Sequence, residues 1–114
     1  MHQGASIQVL ESLVRARYSA YVLNKPDFIM RTTHPDGPHY NANASTWAAQ
    51  ISLFCAGTAF EMLEILDTTQ PETVTYRATM RQDDRRFQVM EVSYFRQLDG
   101  RWLYYDGDFS ETTL

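Results

Sequence analysis

Residues 74–81 read VTYRATMR, and this stretch decides the fold. Val74, Tyr76, Ala78 and Met80 alternate with Thr75, Arg77, Thr79 and Arg81. A period of two puts the apolar side chains on one side of an extended chain and the polar ones on the other, which describes a strand in a sheet with one wet face. Before it, AFEMLEILDT (59–68) reads as a strand running into a turn at Thr69 to Glu72. After it, RFQVMEVSYFRQL (86–98) and RWLYYDGDF (101–109) read as strands joined by Asp99-Gly100, a strong hairpin signal because both residue types tolerate positive φ. The second half of the chain is thus predicted as four antiparallel strands.

The first half has a different period. Ile7, Leu10, Val14, Tyr18 and Tyr21 recur at steps of three and four, which predicts a long helix over about residues 6 to 24, with Ser6 as its cap. Helical phase sets Arg17 on the flank of the apolar stripe and turns Arg15 away from it. Pro26 is expected to end this helix and Asp27 to cap a short second one through Phe28 and Met30. His34-Pro35 would stop that one, because the residue before proline avoids the helical region. DGPHYNANAS (36–45) is a loop, and Ser45 or Asn43 opens a third helix that carries Trp47, Ile51 and Phe54 on one face, with Gly57 as a left-handed stop. Helices followed by strands give an α+β class: a conical fold with a long N-terminal helix and shorter helices packed on a curved antiparallel sheet of about four strands.

At 114 residues the chain fits one domain, 1–114, with a single core. No apolar run approaches the roughly 20 residues of a membrane-spanning helix. The N-terminus lacks the basic start and apolar block of a secretory signal, so a cytoplasmic location is expected. The one cysteine, Cys55, rules out an internal disulfide and any multi-cysteine zinc site, and reads as a small core residue. A net charge of −4 argues against nucleic acid, whose affinity comes from many cationic contacts. Nine of the ten cationic residues are nonetheless arginine, which suits bidentate pairing with carboxylates inside the protein or with an anionic ligand.

The segments RARYSAYVLNKPDFIMRTTHP (15–35), EVSYF (91–95) and DGRWLYYDG (99–107) together resemble the central domain of the YchJ-like family, within the SnoaL and nuclear-transport-factor-like superfold. The resemblance covers roughly Leu13 to Phe109. It implies a cone whose concave sheet face and helices enclose a pocket. It does not imply one activity, since this superfold hosts isomerases, dehydratases, cyclases and non-catalytic binders. Members of the family commonly carry cysteine-rich zinc segments of the SEC-C type at the chain ends, and none of those cysteines occurs in this sequence.

No stretch forms a catalytic signature. His34 is the first acid-base candidate on this superfold, and its structural alternative is a ring that fixes the turn before Pro35. His39 lies in a polar loop and His2 near the terminus. The three histidines have no ligand spacing, so no metal and no cofactor is expected. Glu91 falls in phase with Phe87, Val89 and Phe95 on the presumed inner face, where a carboxylate needs a partner. Arg17 is the expected one. That pair reads either as an internal bridge, which is preferred, or as a pocket acid beside an arginine that positions an anionic substrate. Tyr21, Trp47, Trp102 and Tyr104 line the cavity or simply fill the core. The candidate pocket set is therefore Arg17, Tyr21, His34, Trp47, Glu91 and Trp102.

Two functional classes stay open. The preferred one is a small binding or interaction module with a pocket for a small-molecule ligand, dimerising through the outer sheet face where Arg77, Arg81 and Tyr94 would sit. The other is a cofactor-independent enzyme of isomerase, dehydratase or hydrolase type that moves a proton on a small organic substrate.

Overall fold

The structure is a computed structural model that describes residues 3–114, so His2 lies outside the described residues. Three helices, α1 (Gln3–Val22), α2 (Pro26–Arg31) and α3 (Ala44–Ala56), precede four strands, β1 (Ala59–Asp67), β2 (Thr73–Gln82), β3 (Arg85–Leu98) and β4 (Arg101–Thr113). The strands form one antiparallel sheet in the order β1-β2-β3-β4. The α+β expectation holds, and the long helix, the curved sheet and the Asp99-Gly100 hairpin are all present. Asp99 (φ 51°) and Gly100 (φ 79°) both occupy the left-handed region that a tight primed turn requires.

Local details depart from the sequence reading in instructive ways. The helix α1 begins at Gln3, so Ser6 is inside it and not at its start. Nor does Pro26 end it. Asn24 takes a left-handed φ of 53°, its N–H bonds Tyr21 O, and Lys25 N–H reaches back to Ala20 O at 2.8 Å. That pair of bonds satisfies the last carbonyls before the proline is reached. Pro26 is instead the first residue of α2, where a missing N–H does no harm; Lys25 precedes it, and Asp27 lies in the first turn without capping. α2 stops at Arg31, before His34-Pro35. Asn43 is the cap of α3, accepting from Thr46 N–H, and Gly57 ends it with φ −92°, not in the left-handed region.

Leu10 and Val14 of α1 pack on Val74, Phe95 and Tyr104 of the sheet. A second cluster joins Ala20, Ile29, Trp47, Ile51 and Cys55 between the three helices. The phase of β3 is as expected: Phe87, Glu91, Ser93 and Phe95 are buried while Met90 and Tyr94 are exposed. One irregularity in β4 positions the site. Tyr94 pairs with Asp106 but Phe95 pairs with Tyr104, so Tyr105 is an extra residue. The bulge lets Tyr104 face inward while Tyr105 packs outside the cavity against His34 and Arg96. Residues 32–34 lie along β4 here, Tyr104 N–H bonding Thr32 O and His34 N–H bonding Tyr104 O, both at 2.8 Å. This short parallel contact fixes the C-terminal end of α2 beside Tyr104.

Candidate functional site

Between the concave sheet face and the helices lies a cavity of about 450 Å³. Much of its wall is apolar, with Phe60, Leu63, Met80, Phe87, Val89 and Phe95 from the strands. Tyr18, Tyr21 and Phe54 meet Phe60 there in edge and tilted contacts with centroids 5.8 to 6.1 Å apart. Arg17, Thr33, His39, Tyr76, Glu91 and Tyr104 form a polar cluster in the lining, and Gln82, Ser93 and Glu111 add polar groups elsewhere along it.

Glu91 is 2% exposed and sits at the centre of that cluster. Tyr104 donates its hydroxyl to Oε2 at 2.5 Å, and Tyr76 donates to Oε1 in a very short hydrogen bond. Both oxygens therefore have a phenolic donor, one from each neighbouring strand. Burial nevertheless pushes the Glu91 carboxyl above its usual range, opposed by the Tyr104 and Tyr76 hydrogen bonds and, more weakly, by the charge of Arg17. Burial and the adjacent carboxylate drive both tyrosine hydroxyls upward, which keeps them protonated donors. Room for the carboxylate comes from Gly107 on β4, since a Cβ built there would overlap the Glu91 side chain. That glycine is needed for the close approach, not for its φ.

Arg17 is buried as its helical phase predicts, at 8% exposed. The expected bridge to Glu91 is corrected by the structure. Arg17 Nη1 donates to Ile29 O at 3.1 Å, Thr32 Oγ1 at 2.6 Å and Thr33 Oγ1 at 3.2 Å. Its guanidinium carbon lies 4.6 Å from the centroid of the Tyr104 ring. Among the described residues no carboxylate comes within ion-pair distance of it. The reason is reach: the side chain extends across to the C-terminal turn of α2, where the Ile29 carbonyl, which also accepts from Thr33 Oγ1, and the threonine hydroxyls are polar partners that need no counter-charge. Arg15 is exposed and pairs with Glu11 one turn away.

Of the six residues singled out in the sequence, Arg17, Tyr21, Trp47 and Glu91 line the cavity, and His34 and Trp102 do not. His34 is buried in its turn, where Nδ1 accepts from Asp36 N–H at 3.1 Å and the ring packs on Tyr105. Trp102 shares the inner phase of β4 but packs beyond the cavity against the core around Leu10 and Phe95. Three members of the polar cluster, Thr33, Tyr76 and His39, are not among the sequence candidates. Tyr76 falls in the apolar phase of its strand, and a tyrosine in phase with an inner carboxylate on the adjacent strand is the signal for its role. His39, a loop residue in the sequence, stands with Nε2 3.1 Å from Asp106 Oδ1 and its ring 5.6 Å from that of Tyr104. Among the described residues no three His, Cys, Asp or Glu side chains stand close enough to hold a metal ion, and no helix is long and apolar enough to cross a membrane.

A curved antiparallel sheet closed by helices over an internal cavity with a few convergent polar groups defines the NTF2-like class of α+β domains. The chain belongs to the family of the YchJ middle NTF2-like domain, whose family model matches residues 10–107. It is similar to a UPF0225 protein of Bordetella pertussis, 34% identical over 102 residues that make up 86% of this chain and 70% of that protein. A UPF0225 protein of Streptomyces coelicolor is 34% identical over 111 residues, 92% of this chain and 78% of the relative. One from Deinococcus radiodurans is 36% identical over 97 residues, 84% and 66% of the two chains.

Proposed function

We propose that this domain is a binding module that holds a small, largely apolar organic molecule in the cavity between its sheet and its helices. The observation that carries the reading is the cavity itself: about 450 Å³, with largely aromatic and aliphatic walls and a polar cluster around Glu91. Small-molecule sites have this make-up, apolar area supplying affinity and a few fixed polar groups supplying orientation. No cofactor enters the reading. On the same reading the domain acts in the cytoplasm, and the outer sheet face, with Met90 and Tyr94 exposed, serves self-association.

A second reading rests on Glu91. A buried carboxyl held above its usual range beside two phenols is a competent proton donor or acceptor, as a cofactor-independent isomerase, dehydratase or hydrolase would need. Binding is preferred because both Glu91 oxygens already have tyrosine partners and, among the described residues, no further side chain hydrogen-bonds them.

The test is fluorescence titration with N-phenyl-1-naphthylamine, a neutral apolar probe that brightens when it leaves water. The native protein should bind it in a saturable manner, and Ala78→Phe, which fills the cavity from β2, should abolish the signal while leaving the circular dichroism spectrum intact. Absence of saturable binding to the native protein, or binding undisturbed by Ala78→Phe, would overturn the reading.

A further inference from the structure

Arg17 is engaged on one side only. All three of its hydrogen bonds to protein use Nη1. Among the described residues Nε and Nη2 have no hydrogen-bond partner, yet no fully sealed side-chain nitrogen or oxygen lacks one. These two donors therefore reach open space, and the open space that Arg17 lines is the cavity. A guanidinium is always charged, and the Nε and Nη2 edge matches the two oxygens of a carboxylate in a bidentate pair. Burying that charge against neutral acceptors and a tyrosine ring leaves it without the counter-ion that buried charges normally find.

Glu91 does not supply the counter-ion. Its two oxygens are held by Tyr76 and Tyr104, on strands β2 and β4, and Gly107 gives it the room to stay there. Burial also favours its neutral form, which lessens its repulsion of a second anion in the cavity. The Arg17 edge is meanwhile held still from three sides: by the carbonyl of Ile29, by the hydroxyls of Thr32 and Thr33, and by the Tyr104 ring. A fixed donor pair of this kind costs little further ordering when an acceptor arrives.

We infer that the ligand of this cavity is a small organic carboxylate, its apolar body against the aromatic walls and its two oxygens on the Nε and Nη2 edge of Arg17. The inference rests on the cavity being a binding site and adds the chemistry of the head group. The volume suits an acid with a body of one or two rings, or a short branched chain, and Phe60, Leu63, Met80, Phe87 and Val89 offer such a body an apolar wall.

The experiment is a pair of calorimetric titrations of the native protein, one with naphthalene-2-carboxylate and one with the neutral, nearly isosteric naphthalene-2-carboxamide. The carboxylate should bind at least about tenfold more tightly, and Arg17→Met, which keeps the apolar stem, should remove that preference while leaving the amide's affinity within about twofold. Arg17→Lys keeps the charge but loses the fork, and should retain only part of the preference. Equal or tighter binding of the amide to the native protein would overturn the carboxylate inference and leave the cavity reading standing. Binding of neither compound would overturn both. Since the native protein alone makes the comparison, the result stands even if Arg17→Met fails to fold.

Discussion

The two faces of the sheet treat charge in opposite ways. On the outer face two glutamates pair with arginines: Glu64 with Arg77 through two bonds at 3.0 and 3.1 Å, and Glu61 shared between Arg81 and Arg86. On the inner face Glu91 and Arg17 stand in the same cavity and do not pair. The wet face can form ion pairs cheaply and gains little from them, since water competes for both partners. The dry face avoids the pair by giving each charge neutral partners: tyrosine hydroxyls for the carboxylate, a carbonyl and threonine hydroxyls for the guanidinium. A bridge would have closed the site on itself. Its absence leaves the polar cluster able to act on something else.

Substitutions sharpen this contrast, and the largest effect should come from Arg17→Ala. It removes a buried charged donor that ties α1 to the end of α2, and is expected to cost about 2–4 kcal/mol in chemical denaturation. Next is Gly107→Ala. The added methyl overlaps the Glu91 carboxylate and must push it off its tyrosines, for a loss of about 1–3 kcal/mol, whereas Gly107→Ala combined with Glu91→Ala should recover most of it. At the small end, Arg77→Ala breaks a well-formed pair on the outer face and should leave the melting temperature essentially unchanged. A large loss there, with a small one at Arg17, would reverse the comparison.

Glu91 adds a dependence on pH whose sign follows from its burial. Its carboxyl is raised in the folded protein, so the native state binds the proton more tightly than the unfolded chain does. Stability from this group is complete below the unfolded value of about 4.3 and is lost as pH rises through the higher folded value. Glu91→Gln removes the titration. Its stability relative to the native protein should therefore climb as pH rises above about 4.3, measured by urea midpoints.

How much of this was legible in the sequence depended on whether a feature was periodic. The strand from Val74 to Met80, the phase of Glu91 on β3 and the inward turn of Arg17 all follow from repeats of two or 3.6 and could be read directly. Pairing could not. The partner of Arg17 depends on where the end of α2 comes to rest, which is set by the contact of residues 32–34 with Tyr104, far away in the chain. Gly57 was read as a helix stop of a kind the backbone does not use there, because a glycine permits a left-handed φ without requiring it. His34 carried a suggestive dipeptide, and its turn consumes its ring nitrogen locally. His39 carried no pattern at all, since nothing periodic fixes the path of the loop that brings it to Tyr104.

Carbon-13 NMR titration of the Glu91 side-chain carboxyl, assigned by its loss in Glu91→Gln, tests most directly whether the inner-face charges stand apart. A carboxylate in contact with an arginine titrates below the ordinary glutamate value of about 4.3, and one whose burial outweighs the hydrogen bonds it accepts titrates above it. Burial of Glu91, which outweighs the opposing hydrogen bonds from Tyr104 and Tyr76 and the charge of Arg17, predicts a midpoint above that value in the ligand-free protein. A midpoint below it, returning to the ordinary range in Arg17→Met, would mean that the two charges form a bridge after all.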